Sequence, residues 1–79
     1  MHQELIDELL HFSARNGLRF DYDFDEKRKI YYFKFQNQER TWGYCRELTE
    51  ELLDLFAGPT VYFAYEIIND LKSKVANLC

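Results

Sequence analysis

Cysteine is scarce in this chain: Cys45 and Cys79 are the only two among 79 residues. Two thiols cannot build a disulfide framework, and neither lies in a CxxC pair or beside a histidine at zinc spacing, so free thiols in a reducing compartment are expected. Histidine is limited to His2 and His11, both in the first helical stretch. Cys45 therefore has no identifiable base, and it reads as a small, partly buried sheet residue and not as a nucleophile. The three glycines, Gly17, Gly43 and Gly58, are isolated from one another, which excludes a phosphate-cradling loop. With one proline and no low-complexity run, the chain also lacks the composition of a disordered linker. No apolar stretch approaches the ~18 residues of a membrane span, and the opening MHQELIDELLHF has acids where a secretory signal needs a basic region. The expectation is a cytoplasmic, non-enzymatic protein without membrane attachment, cofactor or metal.

What is abundant is aromatic and apolar: 47% of residues are hydrophobic and 18% are Phe, Trp or Tyr. That is enough for one compact domain over 1–79, near the low end of sizes that fold without a metal or disulfide staple. From Gln3 to about Asn16, the residues Leu5, Ile6, Leu9, Leu10 and Phe12 recur at helical spacing, and Asn16-Gly17 is a helix stop. The period then changes to two. Leu18, Phe20, Tyr22 and Phe24 face one way and Arg19, Asp21, Asp23 and Asp25 the other, as in a half-buried strand. After the turn Asp25–Arg28, a second strand from about Lys29 to Asn37 sets Tyr31, Phe33 and Phe35 against Ile30, Tyr32, Lys34 and Gln36.

A third strand from Thr41 to about Leu48 competes with a helix starting near Arg46. Thr49 as an N-cap, with Glu50 and Glu51 at the positive end of the helix dipole, favours the strand. Ala57-Gly58-Pro59 closes the second helix. A third runs from about Pro59 or Thr60 to about Asn77, with Val61, Ala64, Ile68, Leu71, Val75 and Leu78 forming an apolar seam. The expected fold is α+β in the order α-β-β-β-α-α, a small antiparallel sheet of two to three strands covered on one face by helices. Tyr62, Phe63, Tyr65 and Ile67 widen the apolar surface of the last helix beyond its seam, so residues 60–78 are a candidate homodimer or partner surface.

The stretch RFDYDFDE poses a metal question. As a calcium loop, Asp21, Asp23 and Asp25 would take positions one, three and five, but the required Gly and Glu at six and twelve are Glu26 and Tyr32. Alternation with aromatics argues instead for an extended strand with a solvated row of acids, near Arg19, Lys29 and Lys34 in the hairpin.

Charge is unevenly divided. Residues 1–26 carry seven acids and two bases, 27–46 six bases and one acid, and 47–60 four acids and no base. Lys29, Lys34, Arg40 and Arg46 near Tyr32, Trp42 and Tyr44 form the mix of cations and rings that single-stranded nucleic acid binders use. The order of elements also resembles a double-stranded RNA-binding domain. Such a domain has lysines where its post-sheet helix meets phosphate, whereas Thr49-Glu50-Glu51 here would repel it. Nucleic-acid binding is therefore the alternative reading.

The run SARNGLRFDYDFDEKRKIYYFKF, followed by RELTEELL, resembles small accessory proteins encoded by bacterial phages and prophages, with their acidic first helix, Asn-Gly stop, aromatic hairpin and closing helix. The resemblance implies a protein that binds a host or phage protein inside the bacterial cell, and in some cases inhibits it. The leading reading is a protein-interaction module. Acids Asp21, Asp23, Asp25, Glu50, Glu51 and Asp54 would steer a basic partner, and Trp42, Tyr44 and Tyr62 would serve as exposed anchors.

Overall fold

Helical spacing in the first segment produces α1, Gln3–Arg15, which buries Leu5, Ile6, Leu9 and Phe12 on one face. A computed structural model describes residues 2–75. The last helix ends at Lys74 with Val75 extended, short of the expected Asn77, and Asn77, Leu78 and Cys79 lie outside the described residues. Ser13 is also buried, and its hydroxyl donates to the Leu9 carbonyl at 2.8 Å, so no polar group is stranded beneath the helix. The Asn16-Gly17 stop works as the sequence predicts. Gly17 takes φ +64°, and the Leu18 and Gly17 amides turn back to the carbonyls of Ser13 and Ala14 at 2.9 and 3.4 Å. This double closure needs a left-handed residue at that position.

Strands β1 (Arg19–Asp25), β2 (Ile30–Gln36) and β3 (Gly43–Thr49) form an antiparallel sheet in the order β1-β2-β3. The register aligns Phe20 with Phe35 and Tyr44, Tyr22 with Phe33 and Arg46, and Phe24 with Tyr31 and Leu48. Because side chains alternate across a strand, these nine residues share the face turned to the helices. Phe33 and Phe35 are fully buried there, a gain of about 1.5–3 kcal/mol for each ring. The other face carries Asp21 opposite Lys34 and Cys45, and Asp23 opposite Tyr32 and Glu47. Cys45 is exposed there, contrary to the expected partial burial, because this face is open to solvent.

The third strand begins two residues later than its sequence suggests. Asn37 Oδ1 accepts from the amides of Thr41 and Trp42 at 2.9 and 3.2 Å, which holds both in the loop. The strand then runs through Thr49 because Leu48 and Arg46 are held opposite Tyr31 and Phe33. Thr49 caps α2 (Glu50–Leu55), its hydroxyl accepting from the Leu52 amide at 3.1 Å. After Pro59 the chain enters α3 (Val61–Lys74), which buries Phe63, Ala64, Ile67, Ile68 and Leu71 and packs along α1. The fold is thus α+β with the expected order of elements.

Candidate functional site

The three aspartates of RFDYDFDE turn out to serve the backbone. β1 is an edge strand, with β2 as its sole neighbour. Asp21 Oδ1 accepts from the Tyr22 amide and Asp23 Oδ1 from the Phe24 amide, each at 2.9 Å. Asp25 Oδ1 accepts from the amides of Lys27 and Arg28 at 3.0 and 3.2 Å and builds the turn to β2. Side chains that occupy outward amides blunt an edge against pairing with another strand. Lys34 faces Asp21 in register, but among the described residues neither forms an ion pair. Nor are three metal-ligating side chains gathered anywhere among those residues.

The basic set does not converge. Lys29 ends the β1–β2 turn and Arg40 sits in the β2–β3 loop, both with φ 58°. Lys34 lies on the open face, while Arg46 lies on the helix-facing side, bonded through Nη2 to Glu66 Oε1 and 3.9 Å from Asp70. Tyr44 and Trp42 are also unlike the exposed anchors that the sequence suggests. Both are half-buried against the core. The Tyr44 hydroxyl donates to Asp70 Oδ2 at 2.6 Å, and Lys74 Nζ stands 3.5 Å from the same carboxylate and 5.4 Å from the Tyr44 ring centre. This clasp ties β3 to α3. The Tyr44 hydrogen bond, helped by the charges of Lys74 and Arg46, holds the Asp70 carboxyl below its ordinary value despite some burial. Burial and the same hydrogen bond push the Tyr44 phenol up.

Tyr62, by contrast, is exposed as expected, and beside Tyr65 it has a neighbour that the sequence does not single out, Phe56. Phe56, just after α2, contacts Tyr62 edge-on at 6.3 Å, and Tyr62 lies 6.2 Å from Tyr65. These three rings are 37%, 55% and 46% exposed, and Leu52 and Leu55 on α2 are 47% and 75% exposed. Phe56 leans on buried Phe63 at 4.7 Å, which roots the patch in the core. Gly58 lies beneath it: a Cβ there would come within 3.2 Å of the Phe56 ring.

The patch has an acidic border. Glu50, Glu51 and Asp54 lie on α2, which has no basic residue in its last turn. Of these, Asp54 is approached by His2, at 4.0 Å. An open hollow of about 490 Å³ separates them from Arg28 and Lys29, with which they form no ion pair. The phenol of Tyr31 registers their field. Its pKa is raised first by burial and then by the charges of Glu50 and Asp54. A larger hollow of about 700 Å³, at the far end of the sheet, mixes Arg19 and Lys34 with Asp21, Gln36 and Tyr44.

The signal that could have found the patch is an absence. Residues 55–65 contain no charged side chain, and from Glu47 to Leu71 there are six acids and no base. Among the described residues no helix is long and apolar enough to cross a membrane. Comparison with protein-family models, curated proteins and solved structures returned no match for this chain.

Proposed function

We propose that this chain is a non-enzymatic protein-interaction module that binds a host protein through the α2–α3 surface and inhibits it by occlusion. The observation that supports the reading is the exposed, connected set Phe56, Tyr62 and Tyr65 with Leu52 and Leu55, bordered by Glu50, Glu51 and Asp54. A surface of adjacent aromatics at the end of a small domain is costly to leave in water unless a partner covers it. The likeness of the sequence pattern to phage and prophage accessory proteins is the ground for proposing a partner in the bacterial cytoplasm. The nucleic-acid alternative has less support, since Lys29, Lys34 and Arg40 point from a turn, an open face and a loop, and Arg46 is engaged by Glu66.

Affinity capture from a bacterial lysate, with and without nuclease, tests this reading. One stoichiometric protein that survives nuclease, and is lost with a Tyr62→Ser/Tyr65→Ser variant, is the expected result. Capture of nucleic acid alone, or capture indifferent to that variant, overturns it.

A further inference from the structure

We infer that the α2–α3 surface takes a cationic, amphipathic polypeptide segment, with an apolar side chain seated among Phe56, Tyr62 and Tyr65 and arginine or lysine reaching Glu50, Glu51 and Asp54. The inference rests on the interaction reading above and narrows it to a partner chemistry. Three features carry it. The patch is uncharged over residues 55–65, and the segment in which it lies, Glu47 to Leu71, has six acids and no base, while exposed Leu55 shares a hollow with Glu50, Glu51 and Asp54 across from Arg28 and Lys29. The acids on α2 are not consumed within the chain: among the described residues they form no ion pair with lysine or arginine, and Asp54 alone meets a histidine, at 4.0 Å. The exposed rings of Phe56, Tyr62 and Tyr65 also offer π faces and edges, and rings attract ammonium and guanidinium groups that have lost part of their hydration.

The same charges disfavour the other occupants. A second copy docked on this face about a two-fold axis would bring Glu50, Glu51 and Asp54 against their own equivalents, a like-charge contact that opposes association. A nucleic acid or an anionic lipid surface would meet the same repulsion. A cationic segment gains on both counts: its apolar residue covers the rings, and its charges replace repulsion with attraction that is strongest at low ionic strength.

The test uses the full chain and three synthetic helical peptides: one with leucine on one face and lysine on the other, its counterpart with glutamate for every lysine, and a lysine peptide with serine for every leucine. Binding is followed by amide chemical shifts in about 0.01 M and about 0.15 M salt, which span Debye lengths of about 30 and about 8 Å. The leucine–lysine peptide should shift Leu55, Tyr62 and Tyr65, bind roughly tenfold more weakly at the higher salt, and lose roughly tenfold again to a Glu50→Gln/Glu51→Gln/Asp54→Asn variant, as expected when rim charges are removed. The other two peptides should not bind. Equal binding of the glutamate peptide, no effect of the triple variant, or shifts confined to the open sheet face overturns the inference. So does a dimer in sedimentation equilibrium that dissociates on Tyr62→Ser. Failure of all peptides while lysate capture still depends on Tyr62 and Tyr65 would sink the cationic segment alone. Peptide binding with no captured protein would sink the broader reading alone.

Discussion

Two clusters of aromatic rings sit at opposite ends of this chain's logic. Phe20, Phe35 and Tyr44 pack across the three strands, with ring centres 4.9 and 5.9 Å apart, and Phe35 has no exposed surface. Phe56, Tyr62 and Tyr65 form a chain of similar contacts, at 6.3 and 6.2 Å, yet each keeps more than a third of its surface in water. Ring chemistry and spacing are alike, so the difference lies in what covers them. Two helices, α1 and α3, close over the sheet rings. Nothing in the described chain closes over the others, because α2 is six residues long and the chain turns at Gly58-Pro59. If the proposed function holds, stability and recognition fall to separate rings, and mutation should divide them.

The largest expected effect is at the covered cluster. Phe35→Ala removes a fully buried ring from the central strand and should destabilise the fold by about 3–5 kcal/mol. A shift in urea midpoint at constant slope would register it. A loss below about 1 kcal/mol would mean that the sheet rings are not the core and would collapse the contrast. Next comes the element that carries the open cluster. Thr49→Ala removes the acceptor of the Leu52 amide and should cost about 1 kcal/mol. It should also weaken capture of the leucine–lysine peptide, since Leu52 and Phe56 follow from that cap. Unchanged peptide binding would show that α2 holds its place without the cap.

The covered cluster was legible in the sequence and the open one only in part, for a physical reason. Period-two alternation in FDYDF and YYFKF marks a strand face directly, because each second side chain must lie on one side. The Asn16-Gly17 stop and the Thr49 cap were legible in the same way, as local chemistry that serves a few backbone groups. The start of β3 was misplaced because Asn37 holds Thr41 and Trp42 through hydrogen bonds that no periodicity records. The sequence suggests surface roles for Tyr44 and Arg46 because their partners, Asp70 and Glu66, lie 26 and 20 residues on. Tyr62 and Tyr65 are legible as surplus apolar surface on the last helix, whereas nothing in the sequence marks Phe56, Leu52 and Leu55 as exposed. Whether a helical apolar residue is covered depends on the neighbour that the fold supplies, and that is a long-range fact. The aspartates of RFDYDFDE fall between these cases: their exposure followed from alternation, and their bonds to outward amides needed the edge position of β1.

Tyr44 joins the covered cluster to the acids of α3 and gives the comparison a pH axis. The Asp70 carboxyl is held below its ordinary 3.8, first by the Tyr44 hydrogen bond, so its contribution to stability is whole above that value and is lost as pH falls through the lower folded value. The Tyr44 phenol is raised above 10.0, so its contribution is whole below that value and is lost as pH rises through the folded one. Tyr44→Phe removes the first cause of the Asp70 shift. The variant should lose less stability than the parent as pH falls below 3.8, and less again as pH rises above 10.0. Parallel urea midpoints for parent and variant across both windows would show that the clasp contributes nothing.

The smallest effect on stability should accompany the largest effect on recognition. Tyr62 and Tyr65 bear exposed rings that touch one another more than the core, so Tyr62→Ser/Tyr65→Ser should change stability by less than about 1 kcal/mol, within the range of surface substitutions taken twice. Capture of the leucine–lysine peptide should fall below detection. If the double variant instead unfolds as readily as Phe35→Ala, the open rings are part of the core and α2–α3 is no binding surface. If it is stable and the peptide still binds, the open rings do not carry the contact and the inferred seating among them is overturned. The two clusters would then differ in exposure without differing in purpose.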